Sequence, residues 1–161
     1  MTMKYQYTKN FNTYLTPPKL IEAGLRVLAE EKGVAFAEKF DCDVCCSNEN
    51  IPAKYYYKYG LKNGLQENWM EYNWCNPPFD ECKKWIGKAY MEQQKCKTSI
   101  LLIPVRTETK YWHDYILFNP NCKIVWLRKG YRFLNPETKE EMGVFKNALA
   151  LVVFRGVNGR V

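Results

Sequence analysis

The residues of this chain best equipped for chemistry are four in a row, Asn76-Pro77-Pro78-Phe79. Asn76 carries a side-chain carbonyl that accepts hydrogen bonds. Pro77 offers a backbone carbonyl on a chain of fixed φ, and Pro78 stiffens the position after it. Phe79 supplies an aromatic face. Two acceptors beside a ring suit a planar amino group on an aromatic base, such as N6 of adenine. The lone pair of such a nitrogen is delocalised, and acceptors aimed at its two hydrogens favour a more localised one. The nitrogen can then attack an electrophile and lose its proton afterwards, so no general base is required. Catalysis of this kind rests on alignment and preorganised dipoles. The same residues could make a plain turn, and Asn119-Pro120 and Asn135-Pro136 read as turns of that kind. The second proline, the ring and the strand-like Tyr72-Asn73-Trp74-Cys75 ahead of them set the first case apart.

A scaffold must bring such groups to one place. Thr16-Pro17-Pro18 reads as a helix start, with Thr16 as N-cap and Pro17 at the first helical position. Leu20, Ile21, Leu25, Leu28 and Ala29 form one apolar face, and Gly33 is a good stop. Residues 34–46 are apolar enough for a strand that ends in Asp43-Val44-Cys45-Cys46. Residues 47–65 are polar, rich in tyrosine and carry Gly60 and Gly64, which reads as a long loop of the kind that is often functional. Tyr72 to Cys75 is a strand. A helix from about Glu81 to Gln94 places Trp85, Ile86, Ala89 and Tyr90 on one face. Residues 99–105 form a buried strand closed by Pro104, and residues 108–118 carry Tyr111, Trp112, Tyr115 and Ile116 at helical spacing. A turn at Asn119-Pro120-Asn121, a strand over 123–127, a loop or hairpin over 130–143 and a buried strand over 148–154 complete the chain.

Strands that alternate with helices, some of them continuous apolar runs, predict an α/β domain with a mostly parallel sheet and helices on both faces. Ligands in such folds sit beyond the carboxyl ends of the strands. Asp43 and Asn76 both fall at predicted strand ends and are expected to share a site.

Composition narrows the classes. A chain of 161 residues fits one domain with a real core, and 47% hydrophobic with 16% aromatic residues excludes disorder. The net charge of +7 points to a polyanion as partner. The basic residues are spread, with local density at Arg128, Lys129 and Arg132, so a shaped surface is expected rather than a basic tail. No stretch reaches the length of a membrane span, and the N-terminus lacks the apolar core of a secretion signal. The seven cysteines are therefore expected as free thiols in a reducing, cytoplasmic setting. Cys42-Asp43-Val44-Cys45 has zinc-like spacing, but the remaining cysteines are scattered apart from Cys46, and His113 is the only histidine, so no metal is expected.

Asn76-Pro77-Pro78-Phe79 is similar to the Asn/Asp-Pro-Pro-Tyr/Phe motif of amino methyltransferases that use S-adenosylmethionine. The wider chain resembles the small phage- and prophage-encoded DNA N-6-adenine methyltransferases, the Dam-like family. The matching pieces run in order: Tyr14-Leu15-Thr16-Pro17-Pro18, Asp43-Val44-Cys45-Cys46, Asn50 with Ala53-Lys54-Tyr55-Tyr56, and Gly64-Leu65 before Trp69. Then follow Trp74-Cys75 and the tetrapeptide, Leu102-Ile103-Pro104-Val105-Arg106-Thr107, Trp112-His113-Asp114-Tyr115, and Gly130-Tyr131-Arg132-Phe133.

The resemblance implies a single Rossmann-like methyltransferase domain over residues 1–161, with residues 1–13 as an arm and no separate target-recognition domain. It implies methyl transfer from S-adenosylmethionine to adenine N6 in double-stranded DNA, with the base flipped out and Asn76, Pro77, Pro78 and Phe79 catalytic. Tyr14, Thr16, Pro17, Asp43, Cys45, Asn50 and Asn76 would hold the cofactor, Asp43 by drawing its amino group and positive charge. Lys54, Arg106, Lys110, Arg128, Lys129 and Arg132 are candidate phosphate contacts, and residues 47–65 and 130–143 candidate DNA readers. A bacterial cytoplasm and a phage or prophage source are implied as well, while no oligomeric state follows. The chain departs from larger methyltransferases in having Cys45-Cys46-Ser47 where a Gly-x-Gly loop would follow the first strand, and no evident acid for the ribose hydroxyls. The tetrapeptide alone leaves an amino group of RNA or of a protein glutamine open as the acceptor. The basic charge disfavours the protein but does not separate RNA from DNA, and the absent Gly-x-Gly loop leaves open a non-catalytic nucleic-acid-binding role.

Overall fold

The computed structural model describes residues 14–157, so the arm expected over residues 1–13 lies outside the described residues. The chain forms α1 (Pro18–Lys32), β1 (Phe40–Cys46), β2 (Ala53–Lys58), β3 (Tyr72–Cys75), a 3-10 turn (Phe79–Glu81) and α2 (Cys82–Gln93). Next come β4 (Thr98–Pro104), the short α3 (Lys110–Trp112) running into a π-helical turn (His113–Leu117), β5 (Cys122–Trp126), β6 (Arg132–Leu134), β7 (Glu141–Val144) and β8 (Leu149–Phe154). Six strands make one sheet in the order β2-β1-β3-β4-β8-β5, and β6 pairs with β7 in a separate hairpin.

The pairs β2–β1, β1–β3 and β3–β4 are parallel, whereas β8 runs antiparallel to both β4 and β5. Strand β5 therefore points the same way as β4. The carboxyl ends of β1 to β5 lie along one edge of the sheet. Leaving β1, the chain pairs β2 on one side and later returns to pair β3 on the other. That reversal is a topological switch point, and it opens a crevice beyond the ends of β1 and β3.

Both faces of the sheet are covered, as alternation along β4 requires. Ile100 and Leu102 face α1 and pack with Leu20, Leu28, Trp74, Leu151 and Val153. Leu101 and Ile103 face the other way, onto Trp85, Ile86 and Ala89 of α2 and onto Trp112 and Ile116. Each such side chain contributes roughly 1.5–3 kcal/mol on burial. Two glycines let elements approach closely. A Cβ on Gly24 of α1 would come within 2.7 Å of the Trp74 ring, and one on Gly64 within 1.9 Å of the Val44 carbonyl oxygen.

Four expectations need correction. Thr16 is not the N-cap of α1: the helix begins at Pro18, Pro17 occupies the cap position with extended backbone, and no side chain caps it. Two prolines in succession leave fewer N–H donors to satisfy there, which frees the Thr16 hydroxyl. The first strand starts at Phe40 rather than at residue 34, because pairing begins only where Phe40 meets Ala53. Residues 47–65 are not one loop, since they contain β2. Only Tyr57 of that edge strand is buried, so it lacks the alternation that marks a strand in sequence. The helix expected over 108–118 is a single α turn that widens into a π turn. The hairpin reading of residues 130–143 holds, as β6 and β7, and Gly33 ends α1 in the left-handed conformation at φ 67°.

The connection from β1 to β2, residues 47–52, is shorter than a parallel crossover normally needs and holds no helix. Ile51 of this return leg packs into the α1-side core in place of a crossover helix.

Replacing Gly64 by Ala should cost about 2–4 kcal/mol, since the Val44 backbone cannot yield. Gly87→Ala, whose Cβ would meet its nearest neighbour at 4.0 Å, should be neutral or stabilising by up to about 1 kcal/mol. Urea unfolding of the two variants beside the parent checks both signs.

Candidate active site

Asn76 follows the last residue of β3 and sits at the crevice. Its Nδ2 donates to Thr16 Oγ1 at 3.2 Å, and Asn50 Nδ2 donates to the Thr16 carbonyl, also at 3.2 Å. Three residues singled out in the sequence, far apart along the chain, thus meet around Thr16. Pro77 and Pro78 are buried. The Pro78 carbonyl accepts from Glu81 N–H at 2.9 Å and starts the 3-10 turn. Among the described residues no hydrogen bond takes the Pro77 carbonyl or Asn76 Oδ1, so two adjacent acceptors remain open.

Phe79 is half-buried in a trio of rings. It meets Phe145 edge-on at 5.2 Å and Phe133 at 6.2 Å between centroids, and those two are 5.8 Å apart. Phe133 lies on β6 and Phe145 just past β7, so the hairpin holds the ring. The same hairpin holds the other side of the site. Leu15 and Leu134 exchange backbone hydrogen bonds at 2.9 and 3.0 Å, which fixes the residue before Thr16. Tyr14 is exposed and Pro17 buried beside them. Sequence reasoning did not assign Phe145 a role; its signal would have been one more aromatic after a predicted hairpin.

Asp43 lies within β1 rather than at its end, paired in register with Trp74 and Tyr56. Register neighbours share a face, which puts its carboxyl on the α1 side with Trp74. It is 3% exposed. Its oxygen accepts from Cys45 N–H at 3.3 Å, and no ion pair involves it among the described residues. Burial pushes the carboxyl up to about 7, against the smaller opposing pull of the Cys45 N–H and the Cys46 thiol.

On the α2 side of the switch point lies a cleft of about 680 Å³, a size suited to a small organic ligand. Residues 44–47 at the end of β1 form one wall, residues 59–67 a second, and Pro78, Glu81, Lys84 and Trp85 a third. Cys45 lines it. The wall at 59–67 exists because Gly64 abuts Val44 and because Trp69 Nε1 donates to the Gly64 carbonyl at 2.7 Å. The chain has Cys45-Cys46-Ser47 rather than a Gly-x-Gly loop at the first wall, and the second wall adds Glu67 to the lining. Burial pushes the Cys42 and Cys82 thiols up to about 12, and Cys75 and Cys46 upward as well, so these cysteines stay neutral. Among the described residues no group of three or more His, Cys, Asp or Glu could hold a metal ion, and no helix is long and apolar enough to cross a membrane.

The candidate phosphate contacts divide. Arg106 and Lys110 follow β4, and Arg128 and Lys129 follow β5, all exposed on the same sheet edge as Asn76. Arg106 pairs with Glu108 at 2.5 Å and Lys110 with Asp114, which neutralises both locally. Arg132, exposed on β6, donates to the Met142 carbonyl at 3.2 Å. Lys54 is not brought to this edge. It lies near the start of β2, at the amino ends of the strands, over the Tyr55 ring at 5.6 Å.

A mostly parallel α/β sheet thus gathers open acceptors, a ligand-sized cleft and basic side chains at one edge. The family model of DNA N-6-adenine-methyltransferase (Dam) matches residues 24–160, and the chain belongs to that family. Membership carries the general activity, a transferase that methylates adenine N6 in DNA. No curated protein and no solved structure matches the chain.

Asp43 yields a prediction of known sign. Its folded value of about 7 lies above the ordinary 3.8, so between the two the folded chain keeps a proton that the unfolded chain has lost. Raising the pH through that window lowers stability, and the loss is complete above about pH 7. Asp43→Asn removes this slope, so its stability relative to the parent should rise by a few kcal/mol at most from about pH 5 to about pH 8. Guanidinium unfolding of both proteins at the two pH values measures it.

Proposed function

We propose that this protein transfers a methyl group from S-adenosylmethionine to N6 of an adenine flipped out of double-stranded DNA, on a Rossmann-like methyltransferase fold. The observation that carries the reading is the pair of open acceptors, Asn76 Oδ1 and the Pro77 carbonyl, at the switch point of the sheet. An adenine amino group has two hydrogens, and two fixed acceptors hold both. Holding them favours the nucleophilic form of the nitrogen at no reorganisation cost when the reaction occurs.

The residues around the switch point suit the cofactor. Asp43, buried with no ion pair among the described residues, would take its ammonium group, and the positive end of the α1 dipole, with no acidic residue in its first turn, would favour its carboxylate. Residues 44–47 and 59–67 with Trp85 would hold the nucleoside end in the cleft. The bound group supplies a methyl carbon on a sulfonium, a strong electrophile that spares the protein a general base. Flipping a base costs a few kcal/mol. The Phe79 ring, steadied by Phe133 and Phe145, would offset part of that by stacking worth roughly 1–3 kcal/mol. Arg106, Lys110, Arg128, Lys129 and Arg132 would meet phosphates at the same edge.

The test is transfer of tritium from labelled S-adenosylmethionine to DNA, RNA and protein acceptors, followed by sequencing of the modified DNA. Label on adenine in DNA is expected. Label confined to RNA or protein, or DNA binding without transfer to any acceptor, would replace the reading with one of its alternatives. Asn76→Ala should lower transfer at least about 100-fold while cofactor binding by calorimetry stays within a few-fold. Phe79→Ala should weaken methylation and Phe79→Tyr should keep it; equal damage from the two would remove stacking from the account.

A further inference from the structure

We propose that Thr16 is the positioning residue that orients the Asn76 amide, so that its carbonyl and not its NH2 faces the target amino group; this rests on the reading of Asn76 given above. An asparagine amide has two unlike ends and a broad, two-fold terminal torsion, so shape alone does not choose between them. In one orientation Oδ1 meets an N–H of the base. In the other, two donors face each other and the base is repelled. Thr16 Oγ1 accepts from Nδ2 at 3.2 Å, which is the first orientation, and a hydroxyl whose own proton goes to another acceptor can hold only that one.

Thr16 is itself held in place, as a positioning group must be. It is 2% exposed. The backbone of Leu15 is tied both ways to Leu134, and the Thr16 carbonyl is taken by Asn50 Nδ2 at 3.2 Å. Pro17 and Pro18 follow with fixed φ, and the Thr16 hydroxyl is not spent on capping α1. Asn50 acts one step further out, through Thr16. The role has a chemical signature. A carboxylate in place of the amide has two like ends and needs no orienting, so the importance of the Thr16 hydroxyl should depend on what stands at position 76.

Kinetics and side-chain NMR together test this. Thr16→Val should lower kcat about 10–100-fold with KM for S-adenosylmethionine and for DNA within about 3-fold, and Thr16→Ser should restore kcat. On an Asn76→Asp background, Thr16→Val should cost less than about 3-fold, a double-mutant coupling. In the 15N spectrum the Asn76 side-chain protons should exchange slowly in the parent and in Thr16→Ser, and fast in Thr16→Val. A raised KM for S-adenosylmethionine with unchanged kcat would make Thr16 a cofactor contact and overturn the proposal. So would equal losses on the Asn76 and Asp backgrounds, or fast exchange of the Asn76 amide in the parent. The last measurement needs neither activity nor a folded variant. If the parent methylates no DNA while its Asn76 amide is protected, the proposed function falls and the Thr16–Asn76 bond stands.

Discussion

The site depends on how the Trp74 indole is buried. Trp74 is 1% exposed in the middle of β3, the strand that ends in Asn76. Its ring lies 5.4 Å from Phe40 of β1 and reaches so close to α1 that only a glycine fits at position 24. That contact seats α1 on the sheet at a fixed height. The residues just ahead of α1 are thereby delivered to the end of β3, where Thr16 meets Asn76. The hairpin closes the arrangement from above, because β6 holds Leu15 through its backbone and Phe79 through Phe133. One packing contact thus sets the spacing of a polar cluster whose members are separated by most of the chain's first half.

The electrostatics of the edge divide into two scales. At short range, a carboxyl is kept dry at Asp43 with no ion pair among the described residues, which destabilises the empty protein above neutral pH, and a cationic group beside it would favour its charged form. At long range, the net charge of +7 and the exposed cations after β4 and β5 favour a polyanion, and salt screens that attraction within about 10 Å. The two act on different partners. A buried carboxyl cannot repel DNA effectively through a basic surface, and surface lysines cannot satisfy a group buried at the switch point.

Elements were legible where local pattern and tertiary need agree. Helix α2 and strands β4 and β8 have the expected bounds to within a residue or two, because their apolar periods are the faces they bury. The first strand is shorter than its apolar run, since residues 34–39 are apolar enough for a strand yet find no neighbour to pair with. Strand β2 was missed because an edge strand buries little, and its three tyrosines read equally well as loop. Local rules make Thr16 a helix cap, but a proline takes that place and the hydroxyl turns to a residue sixty positions away.

The sequence alone determined the chemistry available: an amide, a stiff carbonyl and a ring in succession, a basic charge, and an α/β alternation that puts such groups at strand ends. These are local properties, set by residue type and by periods of two and 3.6 that any chain must obey. Only the tertiary structure decided that Pro77 keeps an open carbonyl while Pro78 does not, that Lys54 lies at the opposite edge from Asn76, and that residues 59–67 wall a cleft. It also decided that Thr16, Asn50 and Asn76 meet. Those facts depend on strand order and on one ring packed against one glycine, and no local pattern encodes which distant segments a sheet will bring together.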